Sequence, residues 1–191
     1  MSLAVAPEDL HGRHGIADTT AANYARKGRA WQRDAWVQWG AAPSARTGIA
    51  IAGSGSRSLP KKNFKLMARD RFGSDGPITL PDSSRWNEVT LRADATPNAF
   101  LRNLFMAEVA RRSGSHVDVQ PAMAVPLYLN GQYQGLYRAM PAKGKEWVKH
   151  LNNGGSVDLM EGPAGVAVSG KRKSYLRMLA ALDRKAPLDT L

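Results

Sequence analysis

The stretch of this chain best equipped for chemistry is Gly53-Ser54-Gly55-Ser56-Arg57, followed by Pro60-Lys61-Lys62-Asn63-Phe64-Lys65. A run of small residues lets backbone N–H groups approach an anion closely, and nearby hydroxyls and lysines can complete a phosphate cradle. The stretch is not a P-loop, because no Gly-Lys-Ser/Thr follows it. Nor is it a dinucleotide fingerprint, because Ser58 stands where a third glycine belongs. The plain alternative is a hairpin loop leading into a basic strand. In such a strand Lys62 shares a side with Phe64 and Leu66, while Lys61, Asn63 and Lys65 point the other way. If the apolar side meets a helix, Lys62 is the buried lysine. If the other face forms a cleft, Lys61 and Lys65 line it.

Glu108 is the second candidate. On a helix it falls between Leu101 and Leu104, inside an apolar stripe. An ionised carboxylate there is costly unless paired. Its partner is either a strand lysine, Lys62 or Lys65, or an arginine of its own helix, Arg111 or Arg112. The pairs His11/His14 and His116/Asp118 could each ligate a metal, but neither has a third ligand in view, so no metal site is assigned. No Gly-x-Ser-x-Gly elbow occurs.

The elements that must position these residues follow from periodicity and turn chemistry. Residues 1–30 read as a loose lead-in. Strands are expected around Ala35–Trp39, over Thr47–Ala52, Lys62–Ala68 and Trp86–Ala93, with 69–84 as an excursion over the surface. A helix follows, with Thr96 as cap, Pro97 at its first position, the stripe Leu101, Leu104, Phe105 and Val109, and Gly114 as its stop. Asn130-Gly131 between alternating apolar runs predicts a two-residue hairpin turn. Residues 142–151 read as a short helix, 162–170 as loop, and 171–185 as a final helix ended by Pro187. This order lacks the regular strand–helix alternation of a doubly wound sheet. The expected fold is α+β, a mainly antiparallel sheet with helices packed on it. The expected divisions are a lead-in to residue 30, a domain over 31–168, and a C-terminal helix and end over 169–191.

The bulk composition sets outer limits. Hydrophobic residues make up 43% of the 191, enough for a real core. The absence of cysteine excludes disulfides, thiolate zinc sites and a cysteine nucleophile. No stretch is apolar enough to span a bilayer, and the start lacks the pattern of a signal peptide. The net charge of +11 attracts phosphate, nucleic acid or acidic polymers, the plain alternative being a soluble basic surface. The basic residues are dispersed, with small knots at Arg26-Lys27-Gly28-Arg29, Lys61-Lys62 and Lys171-Arg172-Lys173. None is a long arm of the nucleic-acid kind, which argues against that partner.

These pieces, in this order, resemble the CotH (spore coat protein H) family over roughly residues 15–161. The resemblance rests on Gly28-Arg29-Ala30-Trp31-Gln32-Arg33 and on the loop Gly53 to Ser58. It continues in Pro60-Lys61-Lys62-Asn63-Phe64-Lys65-Leu66, Leu101-Arg102-Asn103 and Tyr128-Leu129-Asn130-Gly131-Gln132-Tyr133-Gln134-Gly135-Leu136-Tyr137. It implies the ATP-binding lobe of an atypical, magnesium- and ATP-dependent protein kinase of spore coats and bacterial cell surfaces. It further implies a phosphate loop at Gly53, Ser54, Gly55, Ser56 and Arg57, and a phosphate-contacting Lys62 or Lys65 held by Glu108. A coat or envelope protein is the implied partner or substrate. Two departures stand out. Pro141 occupies the place of a glutamate that usually follows Gly-Leu-Tyr, and the family's catalytic Asp, Asn and metal-binding Asp have no counterpart before Leu191. No catalytic role is carried onto Asp183 or Asp189. The expectation is therefore a kinase part inactive by itself. The alternatives are a non-catalytic module that holds an envelope partner and a basic domain that binds polyanions.

Overall fold

A computed structural model describes residues 1–95, 99–114, 117–155, 157–162 and 164–183, the side chains of 99–101 excepted. The chain divides into two compact units, Met1–Ala142 and Lys143–Leu191. The sequence reading set its boundaries at 30 and 168.

The strands of the first unit are β1 (Ser2–Ala4), β2 (Arg33–Gln38), β3 (Ala45–Ile51), β4 (Phe64–Met67), β5 (Ile78–Thr79), β6 (Arg85–Trp86), β7 (Glu88–Arg92), β8 (Met123–Leu129) and β9 (Gln132–Pro141). Its helices are α1 (Pro7–His11) and α2 (Ala99–Arg112). Seven of the strands form a closed barrel in the order β1-β2-β3-β4-β7-β9-β8. All neighbours are antiparallel except the closing pair, where β1 runs parallel to β8. β5 and β6 form a separate two-stranded ribbon.

Period-two patterning decides which side chains enter the barrel. Ala35 and Val37 of β2 are buried between exposed Asp34 and Trp36, and Val125, Leu127 and Leu129 of β8 alternate with exposed Ala124, Pro126 and Tyr128. Leu3, Ile49, Leu66, Val89, Leu91 and Tyr137 complete a core with almost no solvent access. The Asn130-Gly131 turn forms as the dipeptide predicts: φ is +49° and +81° at the two positions, and Leu129 faces Gln132 across it.

The barrel replaces the expected α+β sheet with packed helices. The sheet curls until β1 fills the gap between β2 and β8, so its apolar face is satisfied from within and no flat face remains for a helix. The stripe assigned to α2 is accordingly not covered: Phe105 is 66% and Val109 41% exposed. Residues 1–30 are no loose lead-in, since they supply β1 and α1 and bury Leu3, Leu10 and Ile16. The surface excursion over 69–84 buries Phe72, Ile78 and Leu80. Thr96, Pro97, His116, Pro187 and Asp189 lie outside the described residues.

The second unit contains α3 (Lys145–Leu151), the antiparallel pair β10 (Leu159–Glu161) and β11 (Val166–Ser169), and α4 (Lys173–Asp183). β11 occupies the stretch expected to be loop.

Asn130 also seals the barrel. Its side-chain amide accepts from the Val5 N–H at 2.8 Å and donates to the Val5 carbonyl at 2.9 Å, extending the β1 ladder by one side chain. Replacing Asn130 with Gly keeps the turn's positive φ but removes both bonds. Denaturant unfolding should show a loss of about 1–3 kcal/mol, and an unchanged midpoint would refute this role for the amide.

Candidate functional site

One end of the barrel gathers the candidate residues. The strand directions bring the ends of β1, β3, β7 and β8, and the starts of β4 and β9, to the same rim. The loop after β3, the Asn130-Gly131 turn and α1 therefore meet around one cleft. This cleft is about 900 Å³ and is lined by Leu10, His11, Asp18, Ser58, Lys61, Lys62, Gln134 and Tyr137, among others. A smaller hollow of about 260 Å³ is lined by Arg26, Lys27, Trp31, Gly53, Arg57 and Lys65. Residues of the 53–58 loop contribute to both: Ser58 to the cleft, Gly53 and Arg57 to the hollow.

The loop is a turn of 3₁₀ helix over Gly55–Ser58. Gly53 has φ +95°, and a Cβ there would lie 2.4 Å from Ser56 Oγ, so the position accepts only glycine. Arg57 is the loop's anchor. Its Nε donates to Gly53 O at 2.7 Å, Nη1 to Tyr24 O and Arg26 O at 2.9 Å each, and Nη2 to Ile51 O at 2.6 Å. Its fork thus ties three chain segments together. Asn63, also buried, donates to Ser56 Oγ at 2.9 Å and accepts from the Ala93 N–H at 2.7 Å.

The lysines diverge. Lys62 is 8% exposed; its ammonium donates to Arg57 O at 2.7 Å and lies 4.2 Å from the centre of the Tyr24 ring. Lys61 donates to Leu136 O at 2.6 Å and Ala93 O at 3.2 Å and sits 4.5 Å from the centre of the Tyr137 ring. Burial pushes both below the ordinary lysine value, with Asp94 partly countering this at Lys61. Among the described residues neither has a carboxylate in ion-pair contact. Tyr137 fixes the backbone just after Lys62 by donating its hydroxyl to Lys62 O at 3.0 Å, and burial raises the pKa of its phenol strongly. Lys65 opens instead onto the smaller hollow and donates to Glu88 at 2.7 Å, with Arg69 on the other carboxylate oxygen.

The expected pairing of Glu108 with Lys62 or Lys65 is not made. Glu108 is 42% exposed and bonds Arg111 and Arg112 of its own helix. Its carboxyl is held below the ordinary range mainly by the Arg112 hydrogen bond, with Arg111 contributing. The reason is geometric: residues three and four ahead on a helix are always within reach, and α2 is not packed on the strand that carries the lysines.

The buried ion pair of this end lies elsewhere. Arg138 of β9 is 5% exposed and grips Asp94 with both Nε and Nη2, the latter at 2.9 Å. Asn103 of α2 donates to the same carboxylate at 2.9 Å. The Leu-Arg-Asn segment therefore connects to the barrel through Asp94, a residue that sequence reasoning passed over. The available signal was the placement of Asp94 just beyond β7, whose Arg92 pairs with Arg138 in register. Pro141 ends β9, is fully buried, and accepts from Gln120 Nε2 at 2.7 Å.

The CotH kinase protein family matches residues 49–163, the larger part of the chain, and the chain belongs to that family. No match is found among curated proteins.

Asp94→Asn strands the buried Arg138 guanidinium and should cost about 3–5 kcal/mol in equilibrium unfolding. Glu108→Gln removes only an exposed local pair and should leave the unfolding midpoint unchanged. Equal effects of the two replacements would contradict this assignment.

Proposed function

We propose that the chain is the ATP-binding part of a CotH-type kinase, with the triphosphate entering the wide cleft and Lys62 as the phosphate-contacting lysine. The observation that supports this most is the burial of Lys62 against the Arg57 carbonyl and the Tyr24 ring. A largely buried ammonium with carbonyl and aromatic partners but, among the described residues, no paired carboxylate is costly, and an entering anion relieves that cost. Lys61, half-buried, adds a second cation to the same cleft. The cleft's size suits a nucleotide, and the smaller hollow's does not.

The residues fit the triphosphate better than they fit magnesium. No group of three acidic or histidine side chains that could hold a metal ion occurs among the described residues, so no step is drawn through the metal. When bound, magnesium would neutralise charge on the phosphates. The chain's own residues bind and orient: Lys62 and Lys61 attract the phosphates, Arg57 keeps the loop in place, and Tyr137 holds the backbone of Lys62. By itself the chain then binds ATP weakly, with a Kd on the order of millimolar, and transfers no phosphate. An envelope or spore-coat protein is the partner this family reading suggests. Among the described residues no helix is long and apolar enough to cross a membrane.

Calorimetry with ATP or tripolyphosphate, alongside radiolabelled ATP with magnesium or manganese and a basic protein as acceptor, tests the proposal. Lys62→Met should abolish binding without lowering the melting temperature, whereas Lys65→Met should leave binding intact. Because burial lowers the Lys62 pKa, the protonated form that binds is lost earlier than for an ordinary lysine as pH rises. Affinity should therefore fall on the alkaline side below the usual lysine range. Binding that survives Lys62→Met, or label transfer abolished by Lys62→Ala with Lys65→Ala, would overturn the respective halves of the proposal.

A further inference from the structure

We infer that the hollow beside Trp31 is a second anion subsite, separate from the nucleotide cleft, that receives a single phosphorylated side chain of an extended peptide. Its cations come from distant parts of the chain: Arg26 and Lys27 from the segment before β2, and Lys65 from β4. Outside the lining, burial and then the like charges of Arg29 and Arg69 act on Arg71, with Asp34 as a countering charge. Among the described residues the ion pairs of this region are Arg33–Asp9, Lys65–Glu88 and Arg69–Glu88, and none involves Arg26, Lys27 or Arg29. The region therefore holds more positive charge than its carboxylates neutralise.

The subsite is held in shape before any ligand arrives. Arg57 donates to the carbonyls of Tyr24 and Arg26, fixing the segment that carries Arg26 and Lys27 against the loop. Trp31 forms one wall, with the Arg26 guanidinium 5.0 Å and that of Arg33 5.7 Å from its ring centre. The Trp31 contact orients Arg26 at the edge of the hollow.

Size and layout identify the ligand. At about 260 Å³ the hollow is too small for a nucleotide and suits one phosphoryl group on a side chain. The charges form a compact knot rather than a track, and among the described residues Trp31 is the only aromatic one in the lining. A nucleic-acid strand is recognised by a charged groove with successive stacking platforms, which this hollow lacks. A phosphate dianion, with more charge and more acceptor oxygens than a carboxylate, suits a lining that holds Arg26, Lys27 and Lys65.

The inference does not rest on the nucleotide reading, and its test uses no nucleotide. A fluorescent heptapeptide of Gly and Ala with one central phosphoserine is titrated into the protein beside its unphosphorylated twin, with anisotropy as the readout. The phosphopeptide should bind at least tenfold more tightly, and Lys27→Ala should remove most of that difference while leaving the melting temperature unchanged. Lys27→Glu should remove all of it, and Lys62→Met none of it. Equal affinities for the two peptides, or a preference untouched by Lys27→Glu, would overturn the inference. So would single-stranded DNA or anionic vesicles that bind more tightly than the phosphopeptide through Lys27.

Discussion

Barrel closure is the constraint on which the rest of this structure depends. β1 is three residues long, yet it lies between β2 and β8 and turns an open sheet into a closed one. An open sheet must bury one face against helices, while a closed one buries that face against itself. Once Leu3 enters the interior, α2 becomes an appendage. α2 connects through the hydrogen bond from Asn103 to Asp94 and leaves Phe105 and Val109 in solvent. The side chain of Asn130 extends the same seam to Val5.

Closure also sets the electrostatics at the rim. The loop after β3 is drawn against the 24–28 segment by the Arg57 fork, and the hydrogen-bond capacity of that guanidinium goes to backbone carbonyls. Lys62 then sits near the turn, donating to Arg57 O, while Lys65, three residues on, opens onto a different hollow and finds Glu88. Two lysines that look equivalent in sequence acquire opposite characters. Lys65 is a half-exposed partner in an ion-pair network, and Lys62 is buried with no carboxylate in ion-pair contact among the described residues.

What was legible in the sequence was local. Asn130-Gly131 announces its turn because only a few residue types tolerate positive φ at consecutive positions, and the alternation of Val125, Leu127 and Leu129 needs no distant information. The family was legible through short motifs kept in order. β1 was not, because Ser-Leu-Ala has no pattern of its own and is held by pairing with residues 36–38 and 128–129. β11 was missed because it is four residues long, lies between glycines and is held by pairing with β10. Arg57 sat in a motif that suggests phosphate binding, but a guanidinium's partners are set by which carbonyls the fold delivers. Glu108 was placed against the sheet on the premise that α2 packs there, and closure of the barrel removes that premise.

The central claim is that Lys62 is a buried cation awaiting an anion. The most direct measurement is its own titration, followed by NMR at the Lys62 side-chain ε-carbon with and without tripolyphosphate. The account predicts a pKa below that of an ordinary lysine in the free protein, and an upward shift when tripolyphosphate binds. An ordinary value that tripolyphosphate leaves in place would contradict it.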